Sequence, residues 1–104
     1  MGKAATKASK TIEVSNPNSG RSMNIDEDTW KLFRDAIKHA LKGGKELTYS
    51  EMVEGIQDYF KSQKIIFKQS VGWYAVTVKH DLHVRKMIDV SVEKGKKLHR
   101  WVRK

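Results

Sequence analysis

The chain has 104 residues, no cysteine and a net charge of +9. That length suits a single domain, and the missing thiols exclude disulfides and Cys-containing zinc sites. No apolar run nears the ~20 residues that span a bilayer, and no apolar leader core opens the chain, so a cytoplasmic protein with no membrane partner is expected.

The charge is unevenly placed. Residues 63–104 carry eleven basic and three acidic side chains, whereas residues 26–62 carry six basic and eight acidic. A one-sided basic field favours a polyanionic partner.

Residues 1–10 are small, polar and basic, and are expected to form a disordered tail. The opening “MGKAAT” matches a short acylation pattern through Gly2 and Thr6, a match that chance explains. “TIEV” (Thr11–Val14) alternates as a short strand does. “SNPNSGRS” reads as a loop punctuated by Pro17 and Gly20.

Asp26 is placed to cap a first helix, with Glu27 and Asp28 in its positive first turn. Ile25 and Trp30 form a hydrophobic staple. Trp30, Phe33, Ile37 and Leu41 share one face, and Gly43–Gly44 ends the helix. A second helix follows from the capping box Thr48/Glu51 and the staple Leu47/Met52. Its apolar face is Met52, Val53, Ile56, Tyr59 and Phe60. The connector Lys61–Gln69 holds Ile65–Phe67, read as a buried extended piece.

A third helix is expected from about Ser70–Gly72 to Lys86. On a wheel of 100° per residue, Val71, Tyr74, Ala75, Val78, Leu82 and Arg85 gather as the inward seam. Trp73, Val76, Lys79, His80, His83 and Val84 take the outward side, with Thr77 nearby. Trp73 and Val76 are either covered by the connector or the N-terminal segment, or exposed as a contact patch. The covered arrangement is the expectation, because tryptophans in small domains usually pack inside. The end of the chain reads as a hairpin: Ile88, Val90 and Val92 alternate, Lys94–Gly95 turns, and Leu98, Trp101 and Val102 return. Leu98 and Trp101 have opposite parity, so either both faces of the strand are covered or the strand bulges, and the register stays open. A short strand at Glu46–Leu47 is placed to join this hairpin.

The order of three helices and a basic hairpin is that of a winged helix-turn-helix domain. There the third helix enters the major groove and the wing reaches phosphates or the minor groove. The stretch “GWYAVTVKHDLHVRKMI”, followed by “KLHRW”, also resembles an uncharacterised bacterial family of small winged-helix-like domains. The likeness rests on Gly72, Trp73, Tyr74, Asp81, Leu82, Ile88, Leu98, Arg100 and Trp101, and spans roughly Trp30 to Trp101. It implies the fold and no activity. The spacing of Val78, Leu82 and Ile88 is similar to that of winged-helix regulators in general. The connector here is longer than a tight helix-turn-helix turn, and the outward helix face is less polar.

His80 and His83 stand one turn apart, but a metal site needs a third ligand; they are read as surface histidines near phosphate. Asp26, Glu27 and Asp28 are explained by the helix start. No nucleophile–base arrangement, phosphate loop or cofactor motif is found, so no enzyme activity, cofactor or metal is expected. The basic cluster Lys94, Lys96, Lys97, Arg100, Arg103 and Lys104 either neutralises phosphates or guards a hairpin edge against strand pairing.

The sequence therefore predicts a single α+β winged-helix domain over residues 11–104. Double-stranded DNA is its expected partner, in a transcription-related role. Lys79, His80 and His83 are expected to face the groove, and Lys94, Lys96, Lys97 and Arg100 to hold the backbone. The alternative is a protein-interaction or homodimerisation module built on Trp73, Val76 and Val84.

Overall fold

The computed structural model describes residues 10–16 and 20–102. The expected disordered tail, Lys10 apart, lies outside the described residues, as do Pro17, Arg103 and Lys104. Two strands, β1 (Thr11–Ser15) and β2 (Ser22–Asp26), precede the helices α1 (Glu27–Ala40), α2 (Tyr49–Ser62) and α3 (Val71–Val84). Two more, β3 (Ile88–Glu93) and β4 (Lys96–Trp101), follow them. The fold is a small α+β domain with an antiparallel hairpin at each end of a three-helix core.

Helix α1 begins as its sequence dictates. Asp26 accepts from the Thr29 amide at 3.1 Å, and Glu27 and Asp28 lie in the first turn. The helix gives way after Ala40 to a 3₁₀ turn over Lys42–Gly44, where Gly43 and Gly44 take φ of 80° and 79°. That left-handed region is open to glycine at no steric cost. Helix α2 carries the complete capping box, with Thr48 accepting from the Glu51 amide and the Glu51 side chain accepting from the Thr48 amide at 2.9 Å.

The core lies where the three helices meet. Phe33, Ile37 and Leu41 of α1 and its exit, Met52 and Ile56 of α2, and Val78 and Leu82 of α3 are fully buried. The inward seam predicted for α3 is therefore correct at Val78 and Leu82. Phe33 anchors an aromatic cluster with Phe60 (5.3 Å), Phe67 (5.0 Å) and Tyr74 (5.6 Å). The predicted buried piece in the connector is half right: Phe67 docks on this cluster, but Ile66 is 84 % exposed. In an extended segment alternate side chains point apart, so the connector can bury Ile65 and Phe67 only by turning Ile66 outward.

The sequence reading missed β2. Thr11 pairs with Asp26, Ile12 with Ile25 and Val14 with Met23, so the predicted “TIEV” strand is one arm of a hairpin. Val14 and Ile25 point into the core. Ser22–Asp26 alternates weakly, and only the pairing with Ile12 and Val14 gives it a buried side. The hairpin packs its β1 against α3.

The C-terminal hairpin has a two-residue turn. Lys94 and Gly95 take φ of 51° and 79°, as a type I′ turn requires. The turn sets the register: Val92 faces Lys97, Val90 faces His99 and Ile88 faces Trp101. No bulge is needed, because Leu98 simply lies on the opposite face from His99 and Trp101. As predicted, the stretch before α2 joins this hairpin: Leu47 and His99 exchange backbone hydrogen bonds of 3.0 and 2.7 Å.

Candidate functional site

Helix α3 has apolar residues on more than one side, so its neighbours decide which residues are covered. The N-terminal hairpin packs on one shoulder of the helix, and the C-terminal hairpin follows it closely on the other. Asp81 and Lys79 stand on these shoulders, each about 80° from the Val71–Val78–Leu82 seam. Both are buried, at 2 % and 6 % exposure. This corrects the expectation that Lys79 stands in water on the outward face. The inward seam was placed rightly, but the covered arc is wider than a two-helix contact produces.

Asp81 is fully partnered. It accepts from the Trp30 indole Nε1 at 2.8 Å, the Ser15 amide at 3.0 Å and Arg85 Nε at 2.6 Å. Arg85 also donates to the Glu13 carbonyl at 3.1 Å and lies over the Trp30 ring. One carboxylate thus ties α1, α3 and β1 together. Its sequence signal was the i,i+4 spacing to Arg85.

Lys79 is the opposite case. Its ammonium has no hydrogen bond or ion pair among the described residues. Burial, and after it the charge of Lys97, lowers its pKa from the ordinary lysine value. Lys97 reaches it from β4, on the strand face shared with His99 and Trp101. His99 is completely buried. Its ring Nδ1 lies 2.9 Å from the Leu47 carbonyl, an acceptor only, so Nδ1 carries the proton. Its Nε2 has no partner among the described residues. Burial first, then Lys79, His83 and Lys97, push the ring below the ordinary histidine value against the pull of the Leu47 hydrogen bond. His80 is pushed down to about 4 by burial, then by Lys79, Lys97, His83 and His99.

Four of the seven sequence-predicted residues therefore come together: Lys79, His80 and His83 of α3 with Lys97 of β4. His99 completes the cluster and was missed. Its signal was present, because a two-residue turn at Lys94–Gly95 places His99 opposite Val90 on the apolar face. Lys96 and Arg100 are exposed on the other face of β4, and Lys94 is exposed in the turn. Arg100 lies 3.6 Å from Asp89 across the hairpin, with both side chains largely in water.

On the outer side of α3 a groove of about 490 Å³ runs between the helix and the N-terminal hairpin. Trp73, Val76, Thr77 and His80 line it from the helix, and Val14 and Met23 from the strands. Trp73 is 44 % exposed and Met23 45 %. The expectation that Trp73 is covered is thus corrected. The connector packs through Phe67 against Tyr74 rather than over the indole, and the N-terminal hairpin stops at the groove's far wall.

Among the described residues no three His, Asp or Glu side chains are arranged to hold a metal ion. No helix among them is long and apolar enough to cross a membrane. No curated protein and no solved structure matches the chain. A family model matches residues 11–98, taking in the N-terminal hairpin, all three helices and the C-terminal hairpin as far as Leu98, and the chain thereby belongs to DUF6958, a family of unknown function.

Proposed function

We propose that the three helices and the C-terminal hairpin act as a winged helix that binds the backbone of double-stranded DNA, in a transcription-related role. The observation that carries this reading is the exposed basic hairpin packed beside α3: Lys94, Lys96, Lys97 and Arg100 are all in solvent on it. A wing that presents cations next to a helix suits a phosphate backbone. The solvent side of α3 offers Trp73, Thr77, His80 and Val84, few of which read base edges in the major groove. Binding is therefore sequence-weak and owes most of its affinity to phosphate contacts. A labelled generic duplex titrated at low salt should show a rise in fluorescence anisotropy at micromolar protein. Neutralising Lys94, Lys96, Lys97 and Arg100 together should abolish it. No rise with the native chain would remove the reading.

A second reading is favoured by the exposure of Trp73 beside Met23 and Val76. Such a patch suits a protein partner or a second copy of the chain. Sedimentation of the native chain and of Trp73→Arg tests self-association: a concentration-dependent dimer lost in the variant supports it, and a monomer throughout removes the homodimer form.

A further inference from the structure

The groove between α3 and the N-terminal hairpin leaves large apolar side chains in water. Trp73 and Met23 are both nearly half exposed, and both line it, with Val14 and Val76 beside them. The helix supplies the Trp73 wall and the hairpin the Met23 wall. The indole is held in place: it makes a T-shaped contact with the Tyr74 ring at 4.8 Å, and Tyr74 in turn packs on Phe67 and Phe33. A volume of about 490 Å³ falls in the range of sites that enclose one small molecule. A slot with an anchored indole on one wall and a thioether on the other suits a flat ring, since both groups pack favourably on aromatic surfaces.

The loop end of the groove is polar and positive. Val14 pairs with Met23, and two residues further on the Asn16 amide donates to the Arg21 carbonyl at 2.9 Å. Side chains alternate along a strand, so Asn16 and Arg21 take the face of Val14 and Met23, toward α3, and both line the groove. No Asp or Glu is among the described residues that line it. Glu13 lies on the other strand face and accepts from the Ser22 hydroxyl at 2.6 Å, and Asp81 is taken up by Trp30, Ser15 and Arg85. A guanidinium carries five donors in a fork that matches a carboxylate. Arg21 can therefore serve a ligand alongside the contact it makes within the fold.

We propose that this groove binds a small planar aromatic acid, with its ring between Trp73 and Met23 and its carboxylate on Arg21. Seating the ring removes from water the apolar surface that the fold leaves exposed. The guanidinium–carboxylate contact then selects an anion over a neutral ring of the same shape. The second reading above places a protein or a second copy on the same indole, but a slot walled by helix and hairpin takes a ring more readily than the broad face of a protein. The assignment does not depend on duplex binding.

The test follows the indole N–H and methionine methyl resonances of the whole chain as naphthalene carboxylate is added, with naphthalene carboxamide as its neutral twin. The acid should move the Trp73 indole and the Met23 methyl in one saturating transition, with Kd below about 1 mM. The indoles of Trp30, which donates to Asp81, and of Trp101, whose Nε1 is buried, should stay in place. The acid should bind about tenfold tighter than the amide, as a charge-assisted contact gives. Arg21→Gln should remove that preference while the amide binds as before, an outcome that a merely structural role for Arg21 would not produce. Met23→Glu, at an exposed position, should weaken the acid more than the amide. Shifts spread evenly over all the indoles, a titration that does not saturate, equal affinity of acid and amide, or an Arg21→Gln chain that still prefers the acid overturns the proposal. So does a Trp73 indole that moves with protein concentration and ignores the acid, because a second copy then takes the groove.

Discussion

Asp81 accepts three hydrogen bonds within a few ångströms, whereas Lys79, two residues earlier, finds no partner among the described residues. The same helix therefore buries two opposite charges with opposite consequences. Replacing Asp81 by alanine leaves the Trp30 indole and the Arg85 guanidinium without their acceptor. Arg85 is 38 % exposed and can turn to water, but the Trp30 indole and the Ser15 amide lose their acceptor, at about 1–3 kcal/mol for each buried donor left unsatisfied, so Asp81→Ala should lower the urea midpoint markedly. Lys79→Met keeps the buried stem and removes a charge that its surroundings disfavour, so its urea midpoint should rise, by about 1 kcal/mol in stability. A fall instead would mean that Lys79 is held by an interaction within the fold. Neither role could be read from the wheel alone. The sequence shows that Val78 and Leu82 point inward, since their spacing with Tyr74 and Ala75 is helical. How far burial spreads to either shoulder depends on two hairpins that pack there only in three dimensions.

At the scale of elements, the contact of α1 with α2 turns on one glycine. A Cβ on Gly55 would sit 2.6 Å from the Ala40 Cβ, so the two helices approach more closely than a pair of alanines allows. Gly→Ala inside a helix normally gains up to about 1 kcal/mol in propensity. At Gly55 the overlap should outweigh that gain, with a net loss of about 1–2 kcal/mol in chemical denaturation. Adding Ala40→Gly should recover most of it, and additive effects of the two changes would refute the close contact. The helices themselves were legible because their ends are written in polar residues: Asp26 before α1, Thr48 and Glu51 around the start of α2. The C-terminal hairpin was legible through Lys94–Gly95, whose length fixes the register that parity had left open. The N-terminal hairpin was half legible. Thr11–Val14 alternates, but Ser22–Asp26 has a single buried side chain, Ile25, and becomes a strand through its partner.

Across the whole molecule, the burial of His80 and His99, and after it the charge around them, works against the fold as acid is added. An unfolded histidine takes its proton near 6.5, whereas His80 in the fold takes it at about 4. Between these values the unfolded chain binds more protons, so stability falls as pH falls, by up to about 1.4 kcal/mol per unit for each such group. His99 shifts in the same direction and adds to the loss. Urea midpoints should therefore drop between about pH 6.5 and about pH 4, and His80→Gln should flatten part of that drop.

The central claim is that cations of α3 and the C-terminal hairpin meet one phosphate backbone, and the salt dependence of duplex binding tests it most directly. With Lys94, Lys96, Lys97 and Arg100 each neutralising a phosphate, the logarithm of the binding constant should fall with the logarithm of salt concentration with a slope of about −3 to −4. Each single neutralisation should make that slope shallower by about one. A slope near zero, or one that the four substitutions leave unchanged, would contradict the account.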